Sequence, residues 1–96
     1  MAKGYWVSAY REIHDPAKLA AYAQLAAPAI AASGGQFLVR NGQVEAHEAG
    51  LAMRTVIVEF DSFAAAVAAH GTPAYQEALA VLADGVERDF RIVEGT

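Results

Sequence analysis

Residues Gly34–Glu45 read GGQFLVRNGQVE, and the way this stretch is divided decides the fold. Paired glycines stop a preceding helix, because glycine alone enters the left-handed conformation of a helix C-terminus at no steric cost. Gln36–Arg40 (QFLVR) alternates as a strand. Asn41-Gly42 then allows two readings. It is a two-residue hairpin turn that leaves Arg40 at a tip, or an internal bulge in a long strand from Gln36 to about Glu48. In the second case the chain reverses at Ala49–Ala52, around Gly50. The long strand is favoured, since it makes this strand and the next antiparallel neighbours.

Working outward, GYWVSAYREI (Gly4–Ile13) is rich in aromatic and β-branched residues and predicts a first strand. Asp15-Pro16 starts a helix, with Asp as N-cap and Pro at the first helical position. Leu19, Tyr22, Ala26 and Ile30 recur along one face of it, and Pro28 is expected to kink or restart it. MRTVIVEF (Met53–Phe60) predicts a third strand. Asp61 or Ser62 caps a short helix to His70, with Phe63 and Val67 expected inward. Thr72-Pro73 starts another helix, whose apolar stripe is Tyr75, Leu79 and Leu82 and whose stop is Asp84-Gly85. RDFRIVEG (Arg88–Gly95) predicts a last strand. The order β-α-β-β-α-α-β over residues 1–96 predicts a single α+β domain of ferredoxin-like architecture, an antiparallel sheet with helices on one face.

Strand alternation sorts the side chains into two sets. Tyr5, Val7, Ala9, Phe37, Val39, Val56, Val58 and Phe60 are apolar apart from one phenol, and are expected under the helices. Trp6, Ser8, Tyr10, Leu38, Arg40, Thr55, Ile57 and Glu59, with Arg91 and Val93, are then expected on the open face. That face is too apolar for water, and a second copy of the sheet is its expected cover, giving a homodimer.

Composition removes other classes. A net charge of −4 with two lysines argues against a nucleic-acid or anionic-membrane partner. The absence of cysteine removes disulfides and thiol nucleophiles. MAKGYWVS lacks the apolar core of a signal peptide, and Leu19–Ala32 is too short and too interrupted to cross a bilayer. A soluble cytoplasmic protein is expected.

The segments KGYWV, DPAKLAAYAQLAAPAIAASGGQFLVRNGQVE, VIVEFDSFAAAVA, TPAYQEA and DFRIVEG, in this order, resemble a widespread bacterial family. It is described as domain of unknown function 1330, within the dimeric α/β-barrel superfamily. The resemblance spans nearly the whole chain. It implies a ferredoxin-like subunit that pairs sheet to sheet into a barrel, and it assigns no reaction. Members of the wider superfamily include cofactor-independent monooxygenases, muconolactone-type isomerases, haem-dependent enzymes and regulatory modules. Where relatives carry an aromatic and a polar residue before the Pro-x-Tyr turn, this chain has His70-Gly71.

Arg40 and Glu59 form the leading candidate site. Counting back from the reversal places Arg40 opposite Glu59–Asp61 on the expected open face, where an Arg anchors a carboxylate or enolate. A desolvated Glu beside it is a candidate general base. The bland reading is a structural ion pair that sets the dimer register. Trp6, Tyr10 and Ser8 are candidate ligand contacts, weighed against interface packing. His70 and Tyr75, at the joint of the last two helices, are candidate acid/base groups, weighed against a His that meets helix-end carbonyls. Glu45, His47 and Glu48 lack a second His at ligand spacing, His14-Asp15 adds little, and no metal or cofactor is expected. Three functions remain open: a homodimer binding a small organic acid or aromatic metabolite, a cofactor-independent isomerase, monooxygenase or lyase, and a structural dimer module.

Overall fold

The computed structural model describes residues 2–96. Strands β1 (Gly4–Ile13), β2 (Gln36–Arg40), β3 (Thr55–Phe60) and β4 (Val86–Glu94) alternate with helices α1 (Pro16–Ala32), α2 (Phe63–His70) and α3 (Pro73–Leu82). The sheet order is β2-β3-β1-β4, with every neighbouring pair antiparallel, which is the ferredoxin-like arrangement expected. Among the described residues, no helix is long and apolar enough to cross a membrane.

The helix starts follow the local chemistry. Asp15 Oδ1 accepts from the amides of Ala17 (3.0 Å) and Lys18 (3.2 Å), Ser62 Oγ from Ala65 (3.0 Å), and Thr72 Oγ1 from Tyr75 (3.3 Å). Gly34, at φ 83°, ends α1. Helix α1 runs unbroken through Pro28, contrary to the expected restart. Pro28 is exposed, so the carbonyl it leaves without a donor faces water.

Helix α2 turns differently from expectation. Phe63 and Val67 are exposed, while Ala66 and Ala69 are buried against the sheet. Small residues let the helix backbone approach closely. The Trp6 indole Nε1 donates to the Ala66 carbonyl at 2.8 Å, and a Cβ on Gly4 would stand 2.3 Å from the Ser62 carbonyl oxygen. The core gathers Trp6, Val58, Phe60, Tyr22, Ile30, Tyr75 and Leu82 between sheet and helices. Each large apolar side chain buried there contributes about 1.5–3 kcal/mol.

The face assignment holds for β3 and fails for β1. Trp6, Ser8 and Tyr10 lie under the helices, while Tyr5, Val7 and Ala9 face away. The ladder makes this unavoidable, because Trp6 pairs with Val58 and Ser8 with Val56. Polarity misled the alternation rule: a buried Trp or Tyr is tolerated once its polar tip is hydrogen-bonded.

Strand β2 is short, and neither reading of Asn41-Gly42 is correct. The strand stops at Arg40, Asn41 takes a left-handed φ of 59°, and residues 41–54 connect to β3 without a strand. The bulge is inside β2, where Phe37 pairs with Val58 and Val39 with Ile57, leaving Leu38 unpaired. That extra residue turns Arg40 to the helix side, opposite Val56, while Glu59 pairs with Gln36 and Tyr5 on the open face. The expected Arg40–Glu59 pair is therefore not formed: the two side chains point to opposite faces of the sheet.

Candidate functional site

Arg88, from β4, stands opposite Tyr10 of β1 and points under the helices. A second bulge, at Arg11, ends the regular stretch just beyond this pair. Nη1 of Arg88 donates to Ser8 Oγ, Tyr10 OH and Tyr22 OH, each at 3.3 Å, and Nη2 donates to Tyr75 OH at 3.3 Å. Tyr22 OH and Tyr75 OH are 2.7 Å apart. The guanidinium also lies 4.8 Å from the Phe90 ring centre and 5.1 Å from that of Tyr22.

This is an unusual setting for a permanent cation. Arginine stays protonated in proteins, and a charge withdrawn from water normally meets a carboxylate. Among the described residues, Arg88 has hydroxyl and ring partners but no ion pair. Burial, followed by the neighbouring Tyr22 phenol, pushes the Tyr75 hydroxyl above its ordinary value, so it remains a protonated donor. Burial, then the charge of Arg88, pulls the His70 imidazole below the ordinary histidine value.

Beside Arg88 a cavity opens between the sheet and α1. The centre of a water-sized sphere has ≈ 30 Å³ to move in there, and the empty volume of the same cleft, open solvent included, is ≈ 420 Å³. Its floor is Trp6, Ser8, Tyr10, Val56 and Val58, and its roof is Tyr22, Ala23, Ala26, Ala27 and Ile30. Arg40 and Arg54 complete the lining with Phe37, Phe90 and Arg88. Three of the five arginines thus face one cleft in a chain of net charge −4. Among the described residues no Asp, Glu or His lines it. A space of this size admits a water molecule or a carboxylate group, and the cleft is open to solvent.

Four of the residues singled out from sequence, Trp6, Ser8, Tyr10 and Arg40, meet in this cleft. They meet under the helices and not on the open face. Tyr75 reaches it from behind through Arg88 and Tyr22. His70 is outside the lining, its ring packed on Trp6, Tyr75 and Phe90 at 6.0, 5.3 and 5.5 Å. Glu59 is on the other side of the sheet, accepting from Tyr5 OH at 3.2 Å. Sequence reasoning missed Arg88, Tyr22 and Arg54 as site residues. A signal for Arg88 was present: with Arg91 and Val93 on the open face, alternation along β4 sends Arg88 and Phe90 inward.

Two clusters elsewhere hold metal-ligating atoms. Glu12, His14 and Glu87 bring one donor each to within 4.8 Å of one another on the surface, where exposed acidic groups often gather without an ion. His47 Nε2 and Glu45 Oε2 are 2.6 Å apart in the exposed 41–54 connection. Neither cluster touches the cleft.

Solved structures share this fold. A protein of unknown function from Rhodopseudomonas palustris is 24% identical, with a TM-score of 0.72 over 97% of this chain and 80% of its own. SnoaB, a cofactor-independent oxygenase from Streptomyces nogalater, is 13% identical, with a TM-score of 0.62 over 97% of this chain and 92% of its own. A dimeric ferredoxin-like protein of unknown function from Thermobifida fusca is 16% identical, with a TM-score of 0.53 over 97% of this chain and 89% of its own. At these identities the likeness is one of fold. No curated protein sequence matches the chain. Residues 3–96 match the family described as "Domain of unknown function (DUF1330)", and the protein belongs to that family.

Proposed function

We propose that this protein binds a small organic acid in the cleft between the sheet and α1, with the acid's carboxylate on Arg88. The observation that carries this reading is a half-buried guanidinium held by four hydroxyls and, among the described residues, by no carboxylate. The hydroxyls hold its geometry while leaving its charge uncompensated, which is how a protein keeps a site ready for an anion. The apolar roof of Ala23, Ala26, Ala27 and Ile30 suits an aliphatic or aromatic body. The other polar groups of the lining are arginines and hydroxyls, so an acid that arrives ionised is the matching ligand.

The functional unit is a homodimer, by this reading. The open face carries Val7, Ala9, Ile57, Val39 and Val93, with Tyr5, and a second copy of the sheet would cover them. A related fold described as dimeric supports the same assembly.

The second reading is cofactor-independent chemistry of the isomerase, monooxygenase or lyase kind, as in the oxygenase that shares the fold. The Arg88, Tyr22 and Tyr75 donors favour it, since together they would stabilise an enolate. Among the described residues no Asp, Glu or His lines the cleft to take a proton, and binding is therefore placed first.

Titration calorimetry with acetate, butyrate and benzoate tests the binding reading. At least one acid is expected to bind the native chain, and Arg88→Gln is expected to lose at least tenfold in affinity. Because Arg88 also satisfies buried hydroxyls, Ala23→Leu serves as a second variant that fills the cleft and leaves the charge in place. Unchanged affinity in both variants, or no binding of any of the three acids to the native chain, would overturn the reading.

A further inference from the structure

The arginines divide into two groups. Arg11 and Arg91 lie outside and meet Glu87 (3.4 Å) and Asp89 (2.9 Å). Arg40, Arg54 and Arg88 line the cleft, and among the described residues none of them is in an ion pair.

Arg54 is the informative member. Its Nη1 donates to the Asn41 side chain, but its Nε is buried with no hydrogen-bond partner. Native proteins pair nearly all such groups, so the fold itself satisfies this guanidinium only in part. Its guanidinium is 5.6 Å from the centre of the Tyr10 ring, and so is that of Arg88. Two cations therefore share one phenol ring and stand no further apart than twice that distance. A third, Arg40, rests over Phe37 at 4.5 Å. One carboxylate on Arg88 would leave the other two charges unanswered.

We propose that the ligand is a short dicarboxylate of about three to five carbons, with one carboxylate on Arg88 and the other at the mouth between the guanidinium groups of Arg54 and Arg40. The carboxylate carbons of a four-carbon diacid are about 4 Å apart and each sits about 4 Å from its guanidinium carbon, so a collinear span slightly exceeds the limit set by Tyr10 and the diacid lies at an angle between the two cations. This inference rests on the binding reading above and specifies its ligand class.

Calorimetric titration of the full chain with succinate, malonate and butyrate tests it, at one ionic strength because exposed charges are screened by salt. Succinate or malonate is expected to bind at least tenfold tighter than butyrate. Arg54→Gln is expected to bring the diacids to within about threefold of butyrate measured on the same variant. Arg54→Lys, which keeps the charge, is expected to retain part of the preference. Circular dichroism confirms that each variant is folded. Equal affinity for mono- and diacids would overturn the dicarboxylate, and so would Arg54→Gln weakening both alike, the sign of one carboxylate clamped twice. Failure of every acid to bind the native chain, or butyrate binding that ignores Arg88→Gln, would instead remove the binding reading and this inference with it.

Discussion

The hydroxyls of Tyr22 and Tyr75, one from α1 and one from α3, meet at 2.7 Å directly beside Arg88. The pair ties two helices to one cation on the sheet. Each oxygen accepts from the guanidinium, and one of them donates to the other. The array is closed, and its parts depend on one another.

Tyr75→Phe is expected to cost about 0.5–1.5 kcal/mol in urea denaturation, the worth of a buried hydrogen bond. The double variant with Tyr22→Phe should cost less than the two single losses together, by about 0.5 kcal/mol or more, because the second substitution removes a group the first has already orphaned. Strict additivity would show that the hydroxyls act independently.

The same tyrosine has a signature in alkali. Its folded-state value is raised above the ordinary 10.0, by burial first and by Tyr22 next. The folded chain therefore holds this proton more firmly than the unfolded chain does. The stabilisation is complete below pH 10 and is lost as pH climbs through the folded value. Urea midpoints at successive pH values above 10 should fall in the native chain, and part of that fall should be absent in Tyr75→Phe.

His70 works in the opposite direction. Its folded value lies below 6.5, through burial and then through the charge of Arg88, so the unfolded chain binds this proton more readily. Stability from this group is present above pH 6.5 and is lost as the pH drops through the folded value. An NMR titration should give His70 a midpoint below 6.5, and His70→Gln should flatten part of the acid slope of the urea midpoint. A His70 midpoint at or above 6.5 would contradict the packing described for it.

Gly4→Ala and Gly42→Ala form a matched pair. A Cβ on Gly4 meets the Ser62 carbonyl oxygen at 2.3 Å, a backbone atom that cannot swing aside, whereas a Cβ on Gly42 meets nothing within 4 Å. Gly4→Ala should lower stability by about 1–3 kcal/mol, as overpacking does. Gly42→Ala should be nearly silent in the same thermal melt.

Ile57→Asp places a charge in the middle of the open face. Sedimentation at micromolar concentration should show a dimer for the native chain and a monomer for this variant, with acid binding by the cleft retained. A native monomer would remove the proposed assembly while leaving the cleft untouched.

The helix starts were legible in the sequence because a cap is a local event: Asp15, Ser62 and Thr72 each bond an amide two or three residues away. The element order was legible for the same reason. What failed was side, and side is not local. Ser8 and Tyr10 looked too polar to bury, yet the residue that satisfies them, Arg88, is 80 and 78 positions away in the chain. The bulges at Leu38 and Arg11 carry no glycine or proline to betray them, since they are set by the partner strand. Arg40 lies on the unexpected side because alternation breaks at the Leu38 bulge, whereas Arg88 follows the regular alternation of β4 from Arg91 and Val93.

The unpaired Leu38 has a consequence for how relatives of this chain are compared. Without it, Phe37, Val39 and Arg40 would run in, out, in along a regular strand and meet the same partners on β3. A chain one residue shorter here would present the same guanidinium to the same cleft. The arrangement can thus be written in two lengths, and only the shorter spells out its own geometry.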